Sequence, residues 1–362
     1  MAIQTVESLR EHLELAIQVE LSTIPPYLYA MYSIENQMSD AALLIRSVVV
    51  EEMLHAALVS NLLLAVGGEP DFESASYIPS YPGFLPHHKP PLLLELKKAS
   101  VDHIRETFLV IERPEAPGAQ PEDDEYETLG QFYVAVEQAI EALSAELDIF
   151  AEPQVERQMG DPSWYAPVRF DAADSGGLLS VTDRASAIEA IEIIVHQGEG
   201  LSDERWADPS HQELTHYHKF LQICDGTTPL GTVRDVIDNP STSKYPEEIQ
   251  PVSDLFNAGY RLLYLALASL FRGIDQVASV GSIYSIMSGV LSPVAHYLTT
   301  LNLDGGVAAP TFEVYEFGTE NPLKHTRRLA DTVILAHPAL GPVGVVLAGL
   351  DARSLEPSST HA

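Results

Sequence analysis

The chain has 362 residues, 46% of them hydrophobic, enough for one large or two ordinary domains with a buried core. Its 52 acidic against 20 basic residues leave a formal charge of −32, which repels nucleic-acid backbones and anionic membranes and attracts cations. The single cysteine, Cys224, excludes an internal disulfide and cysteine-based zinc or iron–sulfur sites.

The N-terminal stretch MAIQTVESLREHLELAIQVE carries charges throughout and lacks the order of a signal peptide. From there, apolar residues at Leu9, Leu13, Ile17, Ile24, Leu28 and Met31 predict a first helix over residues 5–35. Pro25 and Pro26 fall inside it and predict a kink or bulge. Ser39 or Asp40 can cap a second helix that runs to about Val66, with Gly67-Gly68 as its stop. Residues 69–126 read as a long crossover, rich in Pro, Tyr and Gly, with one short amphipathic stretch. A third helix is expected over about 128–150, and a fourth from a Thr182 cap, interrupted by GEGLSDERWADPS (198–210) and resuming over 211–224. Two further helical patterns, 255–274 and 279–301, precede a Gly/Pro-rich tail with no assignment. Apolar stretches such as 258–271, broken by Arg261, read as too short to span a bilayer. The expectation is a mostly α, cytoplasmic protein with no nucleic-acid or membrane partner.

The informative residues are acids and histidines on faces that should be apolar. Glu20 shares a stripe with Leu13, Ile17, Ile24 and Leu28 on the first helix. Glu52 and His55 lie on the second-helix stripe Ile45, Val48, Val59, Leu62 and form Glu-x-x-His, adjacent on one face. Buried beside Val and Leu, such groups are costly unless paired or metal-bound. The third helix carries Glu137, and Glu213-Leu-Thr-His216 repeats Glu-x-x-His in the resumed fourth helix. Glu199 competes with Glu213, because an interrupted helix can align either one with His216. One Glu from each of two helices and Glu-x-x-His from the other two is the donor set of di-iron or di-manganese four-helix bundles. With 32 Glu and 13 His in the chain, about one Glu-x-x-His arises by chance, so placement on apolar stripes carries the argument, not the count. Any one of these residues alone also fits a solvated face. Glu51 reads as facing sideways, as an outer partner or a surface residue. Tyr27, Tyr29, Tyr133 and Tyr217 are candidates for lining a pocket, for radical relay or for ordinary packing.

The segments ELSTIPPYLYAMYSI, VVVEEMLHAALVSNLLLAVGGEP, YPGFLP, TLGQFY, QGEG and ELTHYHKFLQI resemble the ferritin-like family of iminophenyl-pyruvate dimer synthase domains, which also occur within larger enzymes of bisindole biosynthesis. The likeness covers about residues 5–225, and DLFNAGYRLLYLALASLF and APTFE extend it. It implies a ferritin-like bundle and, in the pathway members, oxidative coupling of two amino-acid-derived imines. It carries over Glu20, Glu52, His55, Glu199 of QGEG and His216, together with Glu137.

The expectation is therefore an all-α, ferritin-like four-helix bundle with a long crossover over 1–225, and a helical C-terminal extension, 226–362, packed on it. Two metal ions, iron with manganese as the other choice, would be held by Glu20, Glu52, His55, Glu137, His216 and Glu199 or Glu213. Glu20, Glu52, His55 and His216 are the expected catalytic set. The expected partners are a small amine or imine substrate and dioxygen or peroxide, with a homodimer among the assemblies. A ferroxidase or iron-binding protein without an organic substrate is the alternative.

Overall fold

The computed structural model describes residues 3–116, 118–168, 176–198 and 214–357. The chain divides into two compact units. The first holds Met1–Pro70, Gly83–Leu94 and Ala99–Thr232; the second holds Asp71–Pro82, Glu95–Lys98 and Val233–Ala362.

In the first unit, α1 (Val6–Ser33) begins where the Thr5 hydroxyl accepts from the Ser8 amide at 3.1 Å. It stays helical through Pro25 and Pro26, where a kink or bulge was expected. Every residue from 19 to 27 is buried, and that packing keeps the segment helical despite the two missing backbone donors. The second helix, α2 (Asp40–Ala65), is capped by the Ser39 hydroxyl, which accepts from the Ala42 amide. Gly67, at φ +75°, closes it: its amide and that of Gly68 donate to the carbonyls of Leu64 and Leu63.

The crossover then forms a two-stranded ribbon, β1 (Gly83–Phe84) paired antiparallel with β2 (Leu93–Leu94). A short helix follows, α3 (101–111), whose middle turn, Ile104–Phe108, is π-helical. Next come α4 (Leu129–Glu146), α5 (Arg184–Gly198) and α6 (His216–Cys224). Thr128 caps α4, as the sequence suggests, and Asp183, one residue later than the expected Thr182, accepts from the Ser186 amide ahead of α5. α1 packs on α2 and α4, α4 on α5, and α5 on α2, which closes a ring of four helices; α6 lies on α2 and α3.

The second unit is built on α7 (Gln250–Phe271), which packs against α8 (Gln276–Leu298, with a π turn at Met287–Leu291) and α9 (Pro322–Ala336). A second ribbon pairs β3 (Asn302–Leu303) with β4 (Gly306–Val307), and α10 (Gly341–Gly349) follows. The tail that resisted assignment is thus helical: both of its helices begin with Pro in the first turn, a position where its missing N–H has no partner to lose.

Two described helices, α2 and α8, are long and apolar enough to cross a membrane, which corrects the expectation that every apolar stretch falls short. The apolar window of α2 is 89% buried within the protein, as in the core helix of a bundle, and that of α8 is 44% buried.

Candidate metal centre

Five elements of the first unit aim polar groups at a common interior. α1 contributes Glu20, α2 contributes Glu51, Glu52 and His55, α3 delivers Glu112 at its end, and α6 contributes His216 and Lys219; α4 adds Tyr133. None of these residues is more than 2% exposed. Glu52 and His55, and likewise His216 and Lys219, stand three residues apart, which puts each pair on one face of its helix.

The donors gather in two groups that share one residue. Glu20, Glu52 and His55 form the first, and Glu52, Glu112 and His216 the second; within each, the candidate ligand atoms lie within 4.8 Å of one another. In the first group the Glu20 carboxylate sits 3.4 Å from His55 Nδ1. In the second, His216 Nδ1 lies 2.9 Å from Glu52 and 3.3 Å from Glu112. The two imidazole rings stack with centroids 5.3 Å apart.

Hydroxyls hold the carboxylates in place. Tyr133 donates to Glu20, Tyr27 donates to Glu112 at 2.5 Å, and Thr23 donates to Glu52 at 2.9 Å. Glu51 is turned inward, accepting from His216 Nε2 at 2.8 Å and from the Lys219 ammonium at 2.6 Å.

This crowding shows in the protonation equilibria. Burial, with Glu112 and Glu20 close by, pushes the Glu52 carboxyl well above its ordinary range. For Glu20, burial acts upward, but hydrogen bonds from His55, Glu52 and Tyr133 prevail and lower it. Burial would lower His216, yet the carboxylates of Glu112, Glu51 and Glu52 hold it well above an ordinary imidazole. Glu51 is likewise lifted by burial but held down at about 2, chiefly by the charge of Lys219 and the hydrogen bond from His216. Burial and the neighbouring carboxylates raise Tyr27 and Tyr133. Among the described residues, four buried carboxyl groups thus face one lysine and two imidazoles, a crowding of oxygen and nitrogen donors that fits a pair of cations. A small cavity lined by Glu20, Glu52, His55 and Glu112 opens between Leu129, Gly130, Ile194 and Gly198.

Of the residues expected from sequence, the structure brings Glu20, Glu52, His55 and His216 together. It does not bring Glu137 to them. Glu137 is half-buried beside the inward stripe of α4, and burial with Glu141 and Glu192 nearby raises its pKa; Tyr133, one turn earlier, takes the inward position instead. Glu199 and Glu213 lie outside the described residues. Glu51 is not on the surface; it takes the other expected place, as an outer partner, accepting from His216. Sequence reasoning missed Glu112, although Ile104 and Phe108 precede it at intervals of four on one helical stripe. Lys219, one turn beyond His216, also escaped notice.

Comparison with known proteins agrees with this fold. The chain is 24% identical to a dichlorochromopyrrolate synthase of Lentzea aerocolonigenes, over 93% of this chain and 39% of that protein. It is 25% identical to a 2-imino-3-(indol-3-yl)propanoate dimerase of Chromobacterium violaceum, over 85% and 34%. The chain therefore spans little more than a third of these relatives. A crystal structure of a ferritin-like protein from Caulobacter vibrioides superposes with a TM-score of 0.57 at 25% identity, covering 78% of this chain and 96% of that one. The ferritin-like family model matches residues 13–225, more than half of the chain and the whole span that supplies the buried donors. The chain belongs to the ferritin-like family.

Proposed function

We propose that this chain is an oxidoreductase with a dinuclear iron centre, manganese being the other choice, that oxidises a small amino-acid-derived amine or imine. One observation carries the reading: Glu52 belongs to both donor groups, so one buried carboxylate stands where two cations would share it. Glu20 and His55 would complete one position, Glu112 and His216 the other, with Glu199 or Glu213 as a further donor. When bound, such an ion pair supplies two-electron chemistry toward dioxygen or peroxide. The chain's own residues do the rest: Tyr133, Tyr27 and Thr23 fix the carboxylates, and the apolar walls from Leu129 and Ile194 limit water at the cavity.

The names of the two curated relatives, a synthase and an imine dimerase, support oxidative coupling as the form of the reaction. In that form each of two imino acids loses one hydrogen as a carbon–carbon bond forms between them. Peroxide takes up the two electrons and two protons and becomes two waters.

The test has two parts. Protein grown with iron should carry two ions per chain, and Glu52→Ala should lose both while its circular dichroism stays helical; unchanged metal content would sink the assignment. With peroxide and an imino acid generated in situ, mass spectrometry should find a product of two substrate masses less two hydrogens. Ferric ion as the sole product would favour the ferroxidase alternative.

A further inference from the structure

Among the described residues, the two donor groups are matched inside. Each offers two carboxylates and one imidazole, and Glu52 counts in both. What differs is the far side of each imidazole. His216 turns Nδ1 toward Glu52 and Glu112 and presents Nε2 to the Glu51 carboxylate at 2.8 Å. Glu51 is in turn clamped by Lys219, whose ammonium reaches both of its oxygens, at 2.6 and 2.5 Å. Both side chains are at most 1% exposed. His55 turns Nδ1 toward Glu20, while its Nε2 meets the side-chain oxygen of Gln197 at 2.9 Å.

We propose that the two metal positions are unequal and that the Glu52/Glu112/His216 position takes the first ion, with Glu51 and Lys219 as its positioning residues. This rests on the dinuclear reading above. A carboxylate accepting the Nε2 proton fixes the tautomer, leaves the Nδ1 lone pair free for metal and makes the ring a stronger donor. Lys219 reaches both oxygens of that carboxylate and holds it against the ring. An amide oxygen can accept the corresponding proton of His55, but a hydrogen bond to an ionised acceptor is roughly twice as strong as a neutral one. The identity of the outer partner therefore separates two positions whose described inner donors are alike.

The experiment loads metal-free protein anaerobically with one equivalent of ferrous iron per chain and locates the ion by anomalous scattering at the iron edge. Occupancy should concentrate at the Glu112/His216 position. Calorimetric titration with ferrous iron should resolve two steps at least tenfold apart in affinity. Glu51→Gln should weaken the tighter step by roughly 10- to 100-fold and leave the other in place. Because that variant strands the Lys219 charge, the double variant Glu51→Gln/Lys219→Met, which removes both charges, serves as its folded counterpart. Gln197→Glu should instead tighten the weaker step and narrow the gap, a result that a purely structural role for these residues would not produce. Equal filling, or first occupancy beside His55, overturns the ordering and leaves the dinuclear reading intact. Binding of no iron, or of only one ion at saturation, overturns both.

Discussion

His216 behaves in the metal-free protein as a cation among carboxylates, so its proton stands where metal charge would otherwise act. Its folded pKa lies well above the ordinary 6.5. The stability it contributes is therefore fully present below pH 6.5 and is lost as the pH rises through the raised folded value. Metal-free protein should accordingly melt at progressively lower temperature above pH 6.5. Metal-loaded protein, in which the ion replaces the proton, should lack that decline; thermal unfolding across pH 6–9 with and without iron checks it. Glu51 works in the opposite sense. Its carboxyl moves from 4.5 to about 2 on folding, worth roughly 3 kcal/mol above pH 4.5 and lost as the pH falls toward 2. The tyrosines provide a third check: Tyr27→Phe leaves the buried Glu112 carboxylate without its 2.5 Å donor and should cost about 1–3 kcal/mol in denaturant unfolding of the metal-free protein.

At the scale of elements, α2 is the axis of the first unit. Nearly all of it is buried, it packs against α1, α5 and α6, and it supplies three of the site's polar residues. Its stability is therefore tied to the site, and Ser39→Ala, which removes the cap on its first turn, should destabilise the protein by about 1 kcal/mol without altering metal content. Leu58, wholly buried on the same helix one turn beyond His55, should cost about 2–5 kcal/mol when cut to Ala and should loosen metal binding with it. The crossover shows how a short element serves a site. The π turn at Ile104–Phe108 sits within a segment of only eleven residues, and that segment ends by presenting Glu112 to the interior. π insertions of this kind recur at functional sites.

At the scale of the molecule, a formal charge of −32 means that the surface repels itself. Added salt screens this repulsion over about 10 Å at 0.1 M, so the melting temperature should rise between low and moderate ionic strength. The buried acids belong to a different ledger: bound cations, not screening, offset them. Iron at 100 times its dissociation constant should add about 2.7 kcal/mol to stability, read as a shift in unfolding midpoint that a chelator reverses.

Helical periodicity, caps and stops made α1, α2, α4 and much of α5 readable from the chain alone, because each rests on local spacing and local hydrogen bonds. The same spacing exposed Glu20, Glu52, His55 and His216, since an acid or imidazole on an apolar stripe is conspicuous wherever it occurs. Three things had no local signature. Whether Pro25 and Pro26 break α1 depended on the packing around residues 19–27. Whether Glu137 or Glu112 faces the other donors depended on Tyr133 taking the inward position of α4 and on where α3 ends. That Glu51 points inward depended on Lys219, 168 residues away. A periodic pattern identifies which face of a helix is buried; only the packing of one helix on another decides which atoms on that face meet.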